Sequence, residues 1–330
     1  MSSALGAMRR MMLTPSLSEV SFAARGFPVA SSDATRRLEA IPQAVICGFE
    51  WGIEGRDLWE VERRLELVEP ELRGFAYEGA TMAFTVRDAM PGGYRHWSRD
   101  LLRGPGVPHT FLTYIGIGFA MARLPRVLWK KVLPDLTGTP YYPTMSWLAV
   151  DGYGFDRAYF ETARWVDRQE RIPSYPWAGA EDYFPRAIDQ GIGRALWFIH
   201  GGNPGQAADA VDRFAGDRQA DLWSGVGLAA TFAGGCEPSG LAILVDRAGR
   251  HRGDLAQGSV FAAKARSFSG VVPAYTEAAV SALAAMSVAA AARLADDVAV
   301  DESAAGRLPA YEIWRDRVRT RCLDRLDAPQ

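Results

Sequence analysis

Three stretches of this 330-residue chain share one frame: Glu78-Gly79-Ala80-Thr81-Met82-Ala83, Gln190-Gly191-Ile192-Gly193-Arg194-Ala195 and Gln257-Gly258-Ser259-Val260-Phe261-Ala262. Each sets a polar side chain before a glycine, with an alanine four positions after that glycine. Small residues at this spacing share a helix face and admit a neighbouring helix. In a packing role the Glu or Gln would sit near a helix entrance, bonding free backbone groups. In a chemical role Glu78, Gln190 and Gln257 would line one apolar cavity and orient a ligand there. Glu78 alone keeps a carboxyl, so it alone could pass protons, with a pKa raised by burial. Tyr114 and Trp223 begin two matching small-residue segments and would line the same cavity, stabilising cationic or radical intermediates through their π faces. His109, about a turn and a half before Tyr114, would reach it too.

Other residues offer less. Asp296-Asp297-x-x-x-Asp301-Glu302 has the outline of an aspartate-rich metal motif. Asp297 and Asp301 would share a face if a helix continued through them, and would then hold Mg²⁺ with a diphosphate. The run falls at an expected helix end, where negative charge is unfavourable. Glu50 and Asp156 follow matched Gly-Phe pairs and read as caps or charge partners. His96, His109, His200 and His251 have no metal-ligand spacing, and His200 reads as a C-terminal helix cation before Gly201-Gly202. The chain has no Gly-x-Ser-x-Gly, no phosphate-binding loop with lysine and no His-Glu-x-x-His. Cys47, Cys236 and Cys322 lie far apart and read as buried, reduced thiols.

Helical periodicity dominates, and strand alternation is scarce. Helices are expected over 57–67, 69–90 with a stop at Pro91-Gly92-Gly93, 108–124, 126–133 ending on Lys130 and Lys131, 144–150 and 155–166 around an Asp151-Gly152 break, 180–200, 204 onward, 217–233, 238–247, 252–268, 273–297 and 309–326. The frames belong to a longer likeness. Gly48-Phe49-Glu50 matches Gly154-Phe155-Asp156, Glu78 matches Gln190, and Tyr114-Ile-Gly116-Ile-Gly118 matches Trp223-Ser-Gly225-Val-Gly227, in the same order at offsets of 106, 112 and 109. The expected fold is all-α, an internally duplicated, pseudo-symmetric multi-helix array with a central apolar cavity. Its parts are an N-terminal extension (1–35), copy 1 (36–148), copy 2 (149–236) and a degenerate third copy with a C-terminal helix (237–330), in one compact domain.

A net charge of −2 gives no global attraction to nucleic acid or to an anionic membrane. Near the N-terminus Arg9 and Arg10 are followed by no long apolar stretch, so no secretion signal is expected. The most membrane-like stretch, 278–294, is mostly alanine and reads as a buried helix. The expected location is cytoplasmic.

LRGFAYEGATMAF (72–84), QGIGRALWF (190–198), RQADLWSGVGLAATFAGG (218–235) and LAQGSVFAAKAR (255–266) resemble the bacterial family of unknown function DUF1702, over roughly residues 35–295. Members occur in gene clusters for enediyne antibiotics and related natural products, beside a polyene-making polyketide synthase. The resemblance implies a role in secondary metabolism and carries no catalytic residues. The resulting expectation is a protein that binds a long hydrophobic polyene and assists its cyclisation or isomerisation, with Glu78 moving protons and no cofactor. One alternative is a noncanonical terpene cyclase on an isoprenyl diphosphate, which would need Mg²⁺. Another is a non-catalytic carrier or scaffold for the synthase or other pathway proteins.

Overall fold

The computed structural model describes residues 17–90, 96–302 and 306–327, and among them every regular element is helical. The expected stop at Pro91-Gly92-Gly93 and the first sixteen residues lie outside them. The chain divides into two compact units: residues up to Gly26 with Glu39–Tyr153, and Phe27–Leu38 with Gly154 onward.

The first unit contains most of α1 (Asp33–Glu54), then α2 (Leu58–Leu65), α3 (Pro70–Ala89), α4 (Trp97–Arg103), α5 (Thr110–Arg123) and the start of α6 (Trp147–Phe160). Asp57 caps α2 by accepting from the Glu60 N–H, and Pro70 opens α3, where a missing donor costs nothing. From Phe75 to Val86 every residue of α3 is buried, as is Thr110–Met121 of α5. Helices apolar on all sides belong to a core.

The second unit holds the rest of α6, then α7 (Phe184–Ile199), α8 (Pro204–Asp212), α9 (Gly216–Ala233), α10 (Pro238–Ala248), α11 (Arg252–Ser269), α12 (Ala274–Ala284), α13 (Val288–Asp297) and α14 (Ala310–Leu326). Asn203 caps α8 through the Gln206 N–H, with Pro204 in first position. α9 stops at Gly234-Gly235, whose φ values of 69° and 104° exclude most side chains.

Several expectations change. α6 runs unbroken through Asp151-Gly152, because that glycine lies in a close helix contact and not in a turn. The single helix expected over 273–297 is two, α12 and α13, bent by 63°. Ala285 adopts a left-handed conformation there (φ 51°) and Ser287 caps α13. Among the described residues no single helix is long and apolar enough to cross a membrane. Lys130 and Lys131 end a 3₁₀ segment, Arg126–Lys131, and not an α-helix. Cys322 is buried, but Cys47 and Cys236 are only partly so. Of the ten tryptophans, Trp59 is exposed and Trp51 half-buried; the rest are core.

Candidate functional site

Glycine fixes how closely the helices of each unit approach. In the first unit a Cβ on Gly48 would lie 1.9 Å from the Ala76 carbonyl oxygen, and one on Gly79 1.8 Å from that of Val45, so α1 and α3 meet backbone to backbone. A Cβ on Gly116 would lie 2.1 Å from the Glu78 oxygen, and one on Gly118 2.1 Å from that of Ala149. Helix α5 is therefore pressed between α3 and α6.

Glu78 lies inside α3, not at its entrance, and is 2% exposed. Gly74, Glu78 and Thr81 follow one side of the helix, and this side meets α5. A Cβ on Gly74 would touch His109 Nδ1 at 3.3 Å and Leu112 at 3.4 Å, while Thr81 borders Gly116. Buried His109 stacks on Tyr77, with ring centroids 4.6 Å apart. Glu78 and His109 are thus brought to the same helix–helix face, one turn of α3 apart. Tyr114 is not on that face. It stands one turn before Gly118, on the side of α5 that meets α6. Its hydroxyl is wholly buried and has no hydrogen-bond partner among the described residues. Burial, with a smaller contribution from Tyr142, pushes the phenol far above its ordinary pKa and keeps it protonated.

In the second unit Gln190 (α7) and Gln257 (α11) also lie inside their helices, and both reach α14. Gln190 Nε2 donates to the Tyr311 hydroxyl at 3.0 Å. Gln257 Oε1 accepts from Ser224 Oγ at 2.7 Å and from Arg315 Nε at 3.2 Å. Arg315, fully buried, donates through Nη1 to the Tyr183 hydroxyl (2.7 Å), Asp221 (2.8 Å) and Glu312 (2.8 Å). Arg186 bridges the same two carboxylates from the other side, at 2.9 and 2.8 Å. Burial would push the Glu312 carboxyl up, but Arg315 and Arg186 outweigh it and hold it below its ordinary range. Two arginines balance the two acids, and a third, Arg319, reaches Glu312 at 3.7 Å while pairing with Asp254 and Asp316. Beside it Arg218 clasps Asp189 with Nε 3.0 Å from both carboxylate oxygens. Trp223 is buried on α9. The sequence offered one sign of this network: Glu312 and Arg315 interrupt the apolar face of Tyr311, Trp314, Val318 and Cys322 at one-turn spacing.

The segments carrying these contacts, 72–84, 190–198, 218–235 and 255–266, fall within a single match to a family model covering residues 4–322. The chain belongs to the family described as protein of unknown function (DUF1702). No curated protein and no solved structure matches it.

The remaining site expectations in this DUF1702 member are corrected. Helix α13 ends at Asp297, so Asp297 and Asp301 share no helical face, and Asp296 is engaged by Lys264 at 2.7 Å. Among the described residues no group of three or more His, Cys, Asp or Glu is placed to hold a metal. Glu50 and Asp156 lie inside α1 and α6 and cap neither. His200 does end α7, but burial, helped by Arg213, lowers its pKa, which opposes the cation expected there.

Proposed function

We propose that the protein binds a long, unsaturated, largely apolar chain in the first unit and shifts protons along it, as an isomerase or cyclase of natural-product assembly. The supporting observation is a carboxyl, Glu78, that is 2% exposed and is the one acidic residue within the buried stretches Phe75–Val86 and Thr110–Met121, with buried His109 one turn away. A carboxylate there can remove a proton from an allylic carbon. Returning that proton at a distant carbon moves the double bonds with no net change in atoms or electrons. His109 is the second proton carrier within reach of that face. An apolar chain gains roughly 25 cal/mol per Å² of buried surface, so binding needs few polar contacts. Family context supplies the polyene and its polyketide synthase as substrate and source.

An ancestral duplication explains why the site is in this unit. Contacts recur at the sequence offsets of the repeat. Gly48 on Ala76 corresponds to Gly154 on Ile188, Gly116 on Glu78 to Gly225 on Gln190, and Gly118 on Ala149 to Gly227 on Leu255. Side-chain pairs recur as well. Tyr77 on His109 becomes Asp189 with Arg218, and Gly74 against Leu112 becomes Arg186 with Asp221. The positions around Gln190 are thus locked by salt bridges and by Tyr311, whereas the matching positions around Glu78 are Gly74, Tyr77, His109 and Leu112. By the same logic Gly152 on Ile115 corresponds to Gly258 on Ser224. Gln257 is then the counterpart of Asp151, not of Glu78.

The test is incubation of the purified protein with a conjugated polyene, following absorbance and product. Glu78→Gln should keep the absorbance shift of binding and lose the product. A shifted band with no product from the unaltered protein makes it a carrier. Unchanged turnover in Glu78→Gln refutes the assignment.

A further inference from the structure

We infer that the segment Arg123–Lys131 is a docking surface for an anionic lipid bilayer. This inference stands independently of the polyene site. The segment reads Arg-Leu-Pro-Arg-Val-Leu-Trp-Lys-Lys, and holds two of the three lysines of the chain. Asp100 and Asp135 are the nearest acidic residues on either side, so a chain of net charge −2 leaves one long stretch with no acid at all. Arg123, Arg126, Lys130 and Lys131 are exposed. Among the described residues no carboxylate lies within ion-pair distance of Lys130 or Lys131, whereas exposed Arg36, Arg164, Arg171 and Arg247 each meet an acid.

The geometry suits a surface and not a fold-stabilising role. These lysines end a six-residue 3₁₀ segment, too short to develop the dipole that would reward cations at its end. Trp129 is buried and its indole N–H donates to the Met121 and Leu124 carbonyls at 3.0 and 3.2 Å, which pins the segment to α5. The Arg126 guanidinium lies over the Trp129 ring, 5.0 Å from its centroid, and neighbouring Val127 is 71% exposed. An exposed apolar residue flanked along the chain by exposed cations suits a headgroup layer: the valine enters the acyl boundary while the charges meet lipid phosphates. A nucleic acid would use the cations but gain nothing from an exposed valine, and no exposed aromatic residue is in the segment to stack on bases.

The experiment is sedimentation of the full chain with vesicles of phosphatidylcholine alone or mixed with phosphatidylglycerol, at low and high salt. Binding is expected only to the anionic vesicles and should weaken with salt. Each basic residue contributes about fivefold near such a surface, so K130E/K131E should weaken binding about 25-fold or more. V127S should weaken it less and leave the salt dependence intact. All these positions are exposed, so unchanged circular dichroism and melting establish that the variants fold. The inference is overturned if the unaltered protein ignores anionic vesicles, if K130E/K131E binds them equally, or if a short DNA duplex binds as tightly as the vesicles.

Discussion

Gly116→Ala adds one methyl group at the point where α5 crosses α3. The new Cβ would lie 2.1 Å from the Glu78 carbonyl oxygen and 3.1 Å from Thr81 Cβ. An ordinary carbon–oxygen contact is about 3.3 Å, so the backbones must separate by roughly 1 Å. No rotamer change can relieve the clash, because the obstacle is main chain. Overpacking of this kind costs about 1–3 kcal/mol, and the value should lie near the top of that range, since α5 is also held against α6 through Gly118. Alanine regains about 1 kcal/mol of helix propensity, leaving a net loss of roughly 2 kcal/mol. Gly225→Ala, whose Cβ would meet the Gln190 oxygen at 2.0 Å, should lose a similar amount. Gly205→Ala is the control. It lies in the first turn of α8 with nothing nearer than 3.6 Å, so only the propensity gain remains and the protein should become slightly more stable. Urea unfolding of the three variants measures these differences. If Gly116→Ala is as stable as the starting protein, the helices are not held at backbone contact and the account of the Glu78 face fails with it.

Three further outcomes follow from the polar groups. Tyr114→Phe removes a buried hydroxyl that lacks a hydrogen-bond partner among the described residues, and should raise stability by about 1 kcal/mol; a loss of that size in thermal unfolding would mean the hydroxyl is bonded. Arg315→Met leaves buried Asp221 with Arg186, and buried Glu312 with Arg186, the Tyr183 hydroxyl and the more distant Arg319, and should cost about 3 kcal/mol, far more than the same change at exposed Arg317; equal costs by denaturant titration would refute the network. Asp189 has its pKa raised to about 6 by burial, against the pull of Arg218. Between pH 4 and pH 6 the native state therefore holds a proton that the unfolded chain has lost, and this group's contribution to stability falls as pH rises, by roughly 3 kcal/mol across the window. Asp189→Asn should flatten that part of the stability–pH curve, and an unchanged slope would refute the assignment.

The helical class was legible because α3, α5, α7, α9 and α11 each carry glycines and alanines at turn spacing between apolar residues, a pattern strands do not support. Their ends were legible where chemistry marks them, as at Asn203-Pro204 and Gly234-Gly235. The α12–α13 bend was not, because Ala285 takes a left-handed conformation that its side chain does nothing to announce. Nor was continuity through Asp151-Gly152, since a glycine that breaks a helix and one that admits a neighbour look alike in sequence. At the candidate site, Glu78, Gln190, Gln257 and His109 were visible as buried polar residues, but their partners were not. Asp221 lies far along the chain from Glu312 and Arg315, and charged residues on a helix are ordinarily solvent-facing.

The third frame shows how spacing alone can mislead. Gln257-Gly258 copies the letters of Glu78-Gly79 and Gln190-Gly191, and a family of three equivalent positions follows naturally. Contact partners impose a stricter test than letters. Gly116 and Gly225 press on the residues before those glycines, Glu78 and Gln190, which makes those two equivalent. Gly258 instead presses on Ser224, the residue just before Gly225, as Gly152 presses on Ile115, just before Gly116. Helix α11 therefore meets α9 as α6 meets α5, in each case through a glycine pressed on the preceding core helix. In that arrangement a carboxyl at Glu78 and amides at Gln190 and Gln257 do not form one symmetric triad. Glu78 and Gln190 also differ in their surroundings, because α14 supplies Tyr311 to the second, so the chemical asymmetry does not rest on the Glu-to-Gln difference alone.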